Sequence, residues 1–263
     1  MRRSVLFCSK VTQYVSHLNA SAGQELVPVA DLLPARDNME LVRLFHTELI
    51  GAMGANNDSL HGFKVLSANS DVLKSLRATE EVVVPMFARS RQESASMTSI
   101  SAKRLQHVCC ALAFELSHDV DAHSTLLEVE NALDCFYPCI ELLGSRFPFY
   151  PTHLEGFCSD LASHVNIVVG PRVDFRRVSA SIANVGLVLL QDGVPVQVGY
   201  TNNCVGGPLN ATVSAAKYGH SLGIKLSKGS LIVCSGLSPR VPASKGKFEI
   251  VSPYGGAFCT LVE

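Results

Sequence analysis

The chain has 263 residues, 47% of them hydrophobic and 17% charged, enough for one large core or a core with a small appendage. A formal net charge of −1, without any block of like charges, gives no nucleic-acid signature, and no apolar run reaches the ~18 residues of a spanning helix. Nine Cys, an odd number without CxxC pairs, read as buried thiols of a reducing compartment and not as a disulfide framework.

Residues 1–24 carry Arg2, Arg3, Lys10 and several Ser but no acid, the composition of a mitochondrial targeting segment. Mitochondrial localisation is the expectation; the alternative is a flexible N-terminus on a cytoplasmic protein. Residues 26–34 read as extended and proline-fixed. Helical spacing over 39–53 and an extended run over 63–66 open an N-terminal α/β part, 25–90, with a helix over 71–77 and a strand over 81–87. The part from 91 to 263 is expected to hold the sheet core. Residues 88–103, rich in Ser, Arg and Gln, read as a surface loop. A helix is predicted over 125–139, a buried strand over 140–143, a rigid aromatic turn over 147–151 and a helix over 153–164. Strands follow over 166–169 and 181–191, and Asp192-Gly193 turns the latter into a hairpin with 194–200. A helix over 210–220 and strands over 230–234, 247–251 and 257–262 complete an α+β chain with a mixed, curved sheet.

The most apolar stretch, His107 to Leu116, has the length of a central strand buried on both faces. Alternation sends Cys110, Leu112, Phe114 and Leu116 to one face as ordinary core. Cys109, Ala111, Ala113 and Glu115 go to the other, where small side chains leave room for a pocket. Lys64 and Glu141 are charged groups inside apolar strands, costly to bury unless paired. They read either as a structural ion pair or as a catalytic base and a metal ligand. His107 shares a face with Cys109, but buried inert thiols outweigh a nucleophilic pair.

Several ordered motifs carry a resemblance to a known family. Gly62-Phe63-Lys64-Val65 looks like its G-Y-K-I, Ile140 to Arg146 like L-E-I-x-D-S-R, and Asp160-Leu161-Ala162-Ser163 like D-N-A-S. Pro208-Leu209-Asn210-Ala211 matches its P-L-N-A, and the run from Leu222 to Gly236 matches its glycine turn and serine–glycine strand end. From about Gln24 onward the chain resembles the 2-oxopent-4-enoate hydratases and 4-oxalocrotonate decarboxylases of the fumarylacetoacetate hydrolase superfamily. The resemblance implies a β-roll or barrel of that superfamily's C-terminal-domain type, with a small N-terminal helical part. It also implies a magnesium or manganese enzyme in which three acidic ligands hold the ion against a short unsaturated 2-oxo acid. A lysine, here Lys64, sits by the substrate, with further substrate contacts at Ser163, Ser235 and Asn210.

The ligand motif departs from that pattern. Two family ligands come from an E-x-E on the central strand, and Cys109 and Ala111 stand at those positions, leaving Glu141 as the sole retained ligand. Glu115 lies four residues from Ala111, roughly 13 Å along a strand, too far for a bond of about 2.0–2.6 Å to the same ion. Cys109 and Glu141, with His107 or His164, would make a poor site even for zinc. Leu161, Gly144 and Leu66 replace a family asparagine, aspartate and glycine. The expectation is a hydratase/decarboxylase-like protein without a cofactor, serving as a structural or interaction subunit in a mitochondrial assembly, with protein partners or as a homo-oligomer. Two alternatives stay open: an active lyase on short 2-oxo or 2-hydroxydienoic acids using Mg or Mn, and a non-catalytic 2-oxo-acid binder.

Overall fold

The computed structural model describes residues 39–67, 69–78, 80–147 and 151–263. The 1–24 and 26–34 expectations, and residues 148–150 of the aromatic turn, lie outside them. Val42, Phe45, Leu49 and Met53 fall on one buried stripe of helix α1 (Met39–Ala55). Strands β1 (Leu60–Leu66) and β2 (Val82–Phe87) pair antiparallel around the short helix α2 (Asp71–Ser75), whose N-cap Ser70 accepts the Leu73 N–H. Then come β3 (Arg91–Glu93), β4 (Ser96–Ser99), helix α3 (Ile100–Lys103), β5 (Leu105–Leu116), helix α4 (Leu126–Ala132) and β6 (Leu133–Gly144). Helix α5 (Leu154–Ser159) leads to β7 (His164–Val169), β8 (Val173–Asp174) and the hairpin of β9 (Gly186–Gln191) and β10 (Val194–Tyr200). Helix α6 (Pro208–Ser221), β11 (Leu231–Ser235), β12 (Val241–Pro242), β13 (Gly246–Ser252) and β14 (Gly255–Val262) complete the chain.

Among the described residues the strands form two sheets. A curled, mixed sheet runs β2-β1-β11-β5-β6-β7-β3, with β12 beside β5 and β8 beside β6, and a second runs β10-β9-β13-β14-β4. The α+β class with a curved sheet and few helices is the one expected. β5 and β6, twelve residues each and antiparallel, form the spine. The Cys110, Leu112 and Phe114 side of β5 enters the main core with Leu187, Leu189, Phe248, Ile250 and Leu261 of the second sheet. Its other side, at Ala111 and Ala113, is closed by Met86, Tyr137, Ile167, Leu231 and Val233. The small side chains therefore open space only toward Cys109. β1 reaches this layer by running parallel to β11, a close approach that Gly62 permits: a Cβ there would lie 1.8 Å from the Leu231 carbonyl oxygen.

Several predicted elements need correction. Residues 88–103 are not a loop: β3 pairs in parallel with β7, β4 with β14, and Ser99 caps α3. These partners lie far along the chain and leave no local periodicity. The helix over 125–139 ends at Ala132, after a capping box of Thr125 and Glu128, and β6 takes over. Pro138 would break a helix there. In β6 it lies between Phe136, which faces β8, and Cys139, which faces β7. The predicted helix over 153–164 is only α5, followed by a turn, and the predicted strand over 181–191 begins at Gly186 after a 3₁₀ segment, Ser179–Asn184.

α1 is tied to the core by a buried imidazole. His46 Nε2 lies 3.0 Å from the Cys158 carbonyl on α5, and its Nδ1 lies 2.7 Å from the Tyr218 hydroxyl on α6. A carbonyl only accepts, so Nε2 carries the proton and Nδ1 accepts from Tyr218. Burial lowers the His46 pKa from 6.5 to about 4, against the Cys158 bond, which raises it. Below pH 6.5 the unfolded chain gains a proton that the folded chain refuses, so this stability is full above 6.5 and lost as pH falls toward 4. Urea unfolding of wild type and His46→Gln is expected to show a gap that narrows by about 3 kcal/mol across that window. A constant gap would show that His46 is not held neutral.

Candidate functional site

Glu141 sits inside β6, in register with Cys109 on β5 and Ile167 on β7, and is fully buried. A carboxylate in that position has to be neutralised and hydrogen-bonded. Four protein groups do this. Oε1 lies 2.8 Å from the Lys64 ammonium of β1 and 3.0 Å from Nδ1 of His164 at the start of β7. Oε2 accepts from the Ser235 hydroxyl at the end of β11 and from the Cys109 thiol, with Sγ at 3.7 Å. An ionised carboxylate offers about four lone-pair sites. Each has a protein donor.

The protonation states follow from these contacts. Burial alone would raise the Glu141 pKa, but the Lys64 charge and the His164 hydrogen bond outweigh it and hold the group down at about 2. Burial, with the Glu141 charge added, pushes the Cys109 thiol well above its ordinary value, so it keeps its proton and donates it. Burial also lowers the His164 pKa despite the carboxylate beside it. The ring is neutral, gives its Nδ1 proton to Glu141, and leaves Nε2 buried and, among the described residues, without a hydrogen-bond partner.

Lys64 makes a second bond, 2.8 Å to the Ala162 carbonyl oxygen. That oxygen is delivered by a strained turn: Leu161, Ala162 and Ser163 have φ of 51°, 51° and 59°, a left-handed conformation that non-glycine residues rarely hold. Arg146 clamps the turn at both ends, bonding the Asp160 carbonyl oxygen at 3.0 Å and the His164 carbonyl oxygen, while its own N–H donates to Asp160 Oδ1 at 3.1 Å. Burial raises the Asp160 pKa to about 6 in spite of Arg146.

Beside the carboxylate cluster lies a cavity of about 220 Å³, bordered by Lys64, Cys109, Ser163 and Ser235, with His107 and Arg240 also lining it. Leu66, Leu143 and Phe157 supply an apolar wall. The Ser163 side chain is 2% exposed, and among the described residues its Oγ has no hydrogen-bond partner.

Of the residues singled out from the sequence, Lys64, Cys109, Glu141, Ser163 and Ser235 are brought together. Ala111 faces Cys139 and is packed over by Met86 and Tyr137, away from the cavity. Asn210 is not brought in either: its amide donates to the Val205 carbonyl at 3.5 Å, held by the Gly206-Gly207 turn that starts α6. Glu115 accepts from the Tyr137 hydroxyl at 2.7 Å and lies 3.9 Å from Arg91, at the far end of the strand. Sequence reasoning missed the Arg146 clamp and the Arg240 lining. Arg146 and Asp160 each lie in a matched motif, yet nothing in the sequence says that the two motifs meet.

This donor set does not fit magnesium or manganese. Those ions need oxygen ligands with free lone pairs. Ala111 has no donor atom, Cys109 keeps its proton, and every lone-pair site of Glu141 is committed to a protein donor. Among the described residues, no group of three or more His, Cys, Asp or Glu stands where it could hold a metal ion.

No protein-family model matches the chain. It is 36% identical over 262 residues to REH2-associated factor 2 of Trypanosoma brucei brucei, covering 97% of each protein. It is 27% identical over 228 residues to 2-keto-4-pentenoate hydratase of Paraburkholderia xenovorans, covering 86% of this chain and 83% of that one. Among solved structures, 4-oxalocrotonate decarboxylase from Pseudomonas putida G7, complexed with magnesium and adipate, superposes with a TM-score of 0.85 at 16% identity, over 100% of this chain and 98% of that one. That last likeness is one of fold.

The ion pair makes a stability prediction. Lys64→Met strands the buried Glu141 charge and should cost about 3–5 kcal/mol in urea unfolding. Lys64→Met/Glu141→Gln should recover much of that loss, since an uncharged pair no longer needs the counter-ion. Additive losses in the double variant would show that the two charges are not coupled.

Proposed function

The chain belongs to the family of the 2-keto-4-pentenoate hydratases and 4-oxalocrotonate decarboxylases, within the fumarylacetoacetate hydrolase superfamily, and from that premise we propose that it is a non-catalytic member. In this reading it serves as a structural or interaction subunit of a mitochondrial assembly. The observation that carries it is the saturation of Glu141 by Lys64, His164, Ser235 and Cys109. Metal-assisted hydration or decarboxylation needs an ion to stabilise enolate charge, and here an ammonium occupies the acceptor sites that an ion would use. Lys64, tied to Glu141 and to the Ala162 carbonyl, is a counter-ion rather than a base.

Two further observations support an assembly role. The relative at 36% identity is named as an associated factor, and its name speaks of association rather than of turnover. The composition of residues 1–24 supports the mitochondrial setting. A second reading, binding of a short 2-oxo acid without turnover, is favoured by one feature: the Ser163 hydroxyl at the cavity, unpartnered among the described residues.

Calorimetric titration of chelator-stripped protein with magnesium and manganese tests the first reading. No binding heat is expected, alone or with oxalate, together with no hydration of a 2-hydroxydienoate. Magnesium-dependent hydration that is lost in Glu141→Ala would overturn it and make the chain a lyase. A rise in melting temperature with oxalate, without metal, would select the second reading.

A further inference from the structure

The cavity beside Glu141 has a buried floor and an open rim. Lys64, Cys109, Ser163 and Ser235 are buried, whereas Asp71 and Pro239 are exposed and His107 and Arg240 half-buried. Asp71 and Arg240 put one charge of each sign at the rim, and burial, with Arg240 nearby, keeps His107 from adding a third. The floor is balanced as well. The Lys64 ammonium cancels the Glu141 carboxylate, and His164, Ser235 and the Cys109 thiol are uncharged. A carboxylate placed there would leave water and meet no uncompensated cation.

What the floor offers instead is a set of uncommitted hydrogen-bonding groups. An ammonium has three protons. Lys64 gives one to Glu141 and one to the Ala162 carbonyl, and the third has no acceptor among the described residues. The Ser163 hydroxyl is likewise unpartnered among them. Ser235 gives its proton to Glu141, so it has only lone pairs left for the cavity. Of the two other hydroxyls, Ser70 caps α2, and Ser238 bonds the Cys110 N–H and the Pro239 carbonyl. The three open groups converge. Ser235 shares Glu141 with Lys64, and Ser163 follows Ala162, whose carbonyl Lys64 holds.

Two donors and one acceptor match the carbonyl oxygen and the NH₂ of a primary amide. Size sets the rest. A cavity of about 150 Å³ holds benzene, so one of about 220 Å³ takes a body of that size together with its amide. Leu66, Leu143 and Phe157 supply the wall for that body.

We propose that, with Glu141 holding no ion as in the non-catalytic reading on which this rests, the cavity binds a small uncharged primary amide with an apolar body in preference to the corresponding acid. The Ser163 hydroxyl then serves an uncharged ligand rather than a 2-oxo acid.

Calorimetric titration of the full, chelator-stripped chain with benzamide and with benzoate, alike in shape and different in charge, tests this. Benzamide should bind about tenfold tighter than benzoate or better, and Ser163→Ala should lose about tenfold toward benzamide. If Ser163→Ala does not fold, Ser163→Gly removes the same hydroxyl, suits the φ of 59°, and should show the same loss. No benzamide binding, benzoate bound as tightly, or an affinity indifferent to the Ser163 substitution would overturn the proposal. Magnesium separates that failure from failure of the underlying reading. Benzoate preferred in the presence of chelator overturns the amide proposal alone. Benzoate binding that appears only with magnesium overturns the non-catalytic reading, and the amide proposal with it.

Discussion

The buried contact between Lys64 and Glu141 is what the large sheet depends on at its centre. It is the meeting point of side chains from β1, β5, β6, β7 and β11. The resemblance implies three carboxylates around a dication, a cluster whose surplus negative charge cannot be buried without the metal. With Cys109 and Ala111 in two of those places, a single carboxylate is left. One ammonium balances it, and neutral His164, Ser235 and Cys109 supply the remaining hydrogen bonds. In the non-catalytic reading proposed above, the two missing acids and the Lys64 counter-ion are two sides of one electrostatic balance. Keeping Lys64 and Glu141 then has a structural cause, because removing either one strands the other in a medium of low dielectric.

The strained turn belongs to the same arrangement. Three successive non-glycine residues with positive φ cost of order 1–3 kcal/mol each unless the surroundings hold them. Arg146 holds both ends, and the turn in return delivers the Ala162 carbonyl to Lys64. Strain of this kind is often a sign of chemistry. Here it provides the second of two hydrogen bonds to a buried ammonium, which is a sufficient structural reason for it to persist. The Ser163 hydroxyl at the end of the turn is the exception, because the described residues give it nothing to bond.

Much of this was legible in the sequence, and the failures have physical causes. The apolar run of β5 and its alternation identified the spine, the core face and the direction of the cavity. The conflict of a lysine and a glutamate inside apolar strands identified the ion pair as one of two readings. The motifs placed Ser163 and Ser235 near it. Three kinds of feature stayed hidden. β3 and β4 are strands only because β7 and β14 lie alongside, and such pairing leaves no local trace. Asn210 lies in a matched motif, but its side chain serves the turn before α6, a matter of a few backbone angles. The Arg146 clamp and the His46 tie join positions far apart in the chain whose side chains look ordinary in isolation. Pro138 was different: it was visible, and it should have ended the predicted helix.

β5 separates the cavity from the main core, and it does so by period-two alternation. Cys109 faces the Glu141 cluster, while Cys110 faces the core shared with the second sheet. A change on the Cys109 side therefore alters the cavity without touching the packing between the two sheets. Interior packing tolerates few volume changes. On the cavity side Ala111 is packed over by Met86 and Tyr137, whereas Cys109 borders the open space. The cavity and the core between the two sheets are separable in this fold because they lie on opposite sides of one strand.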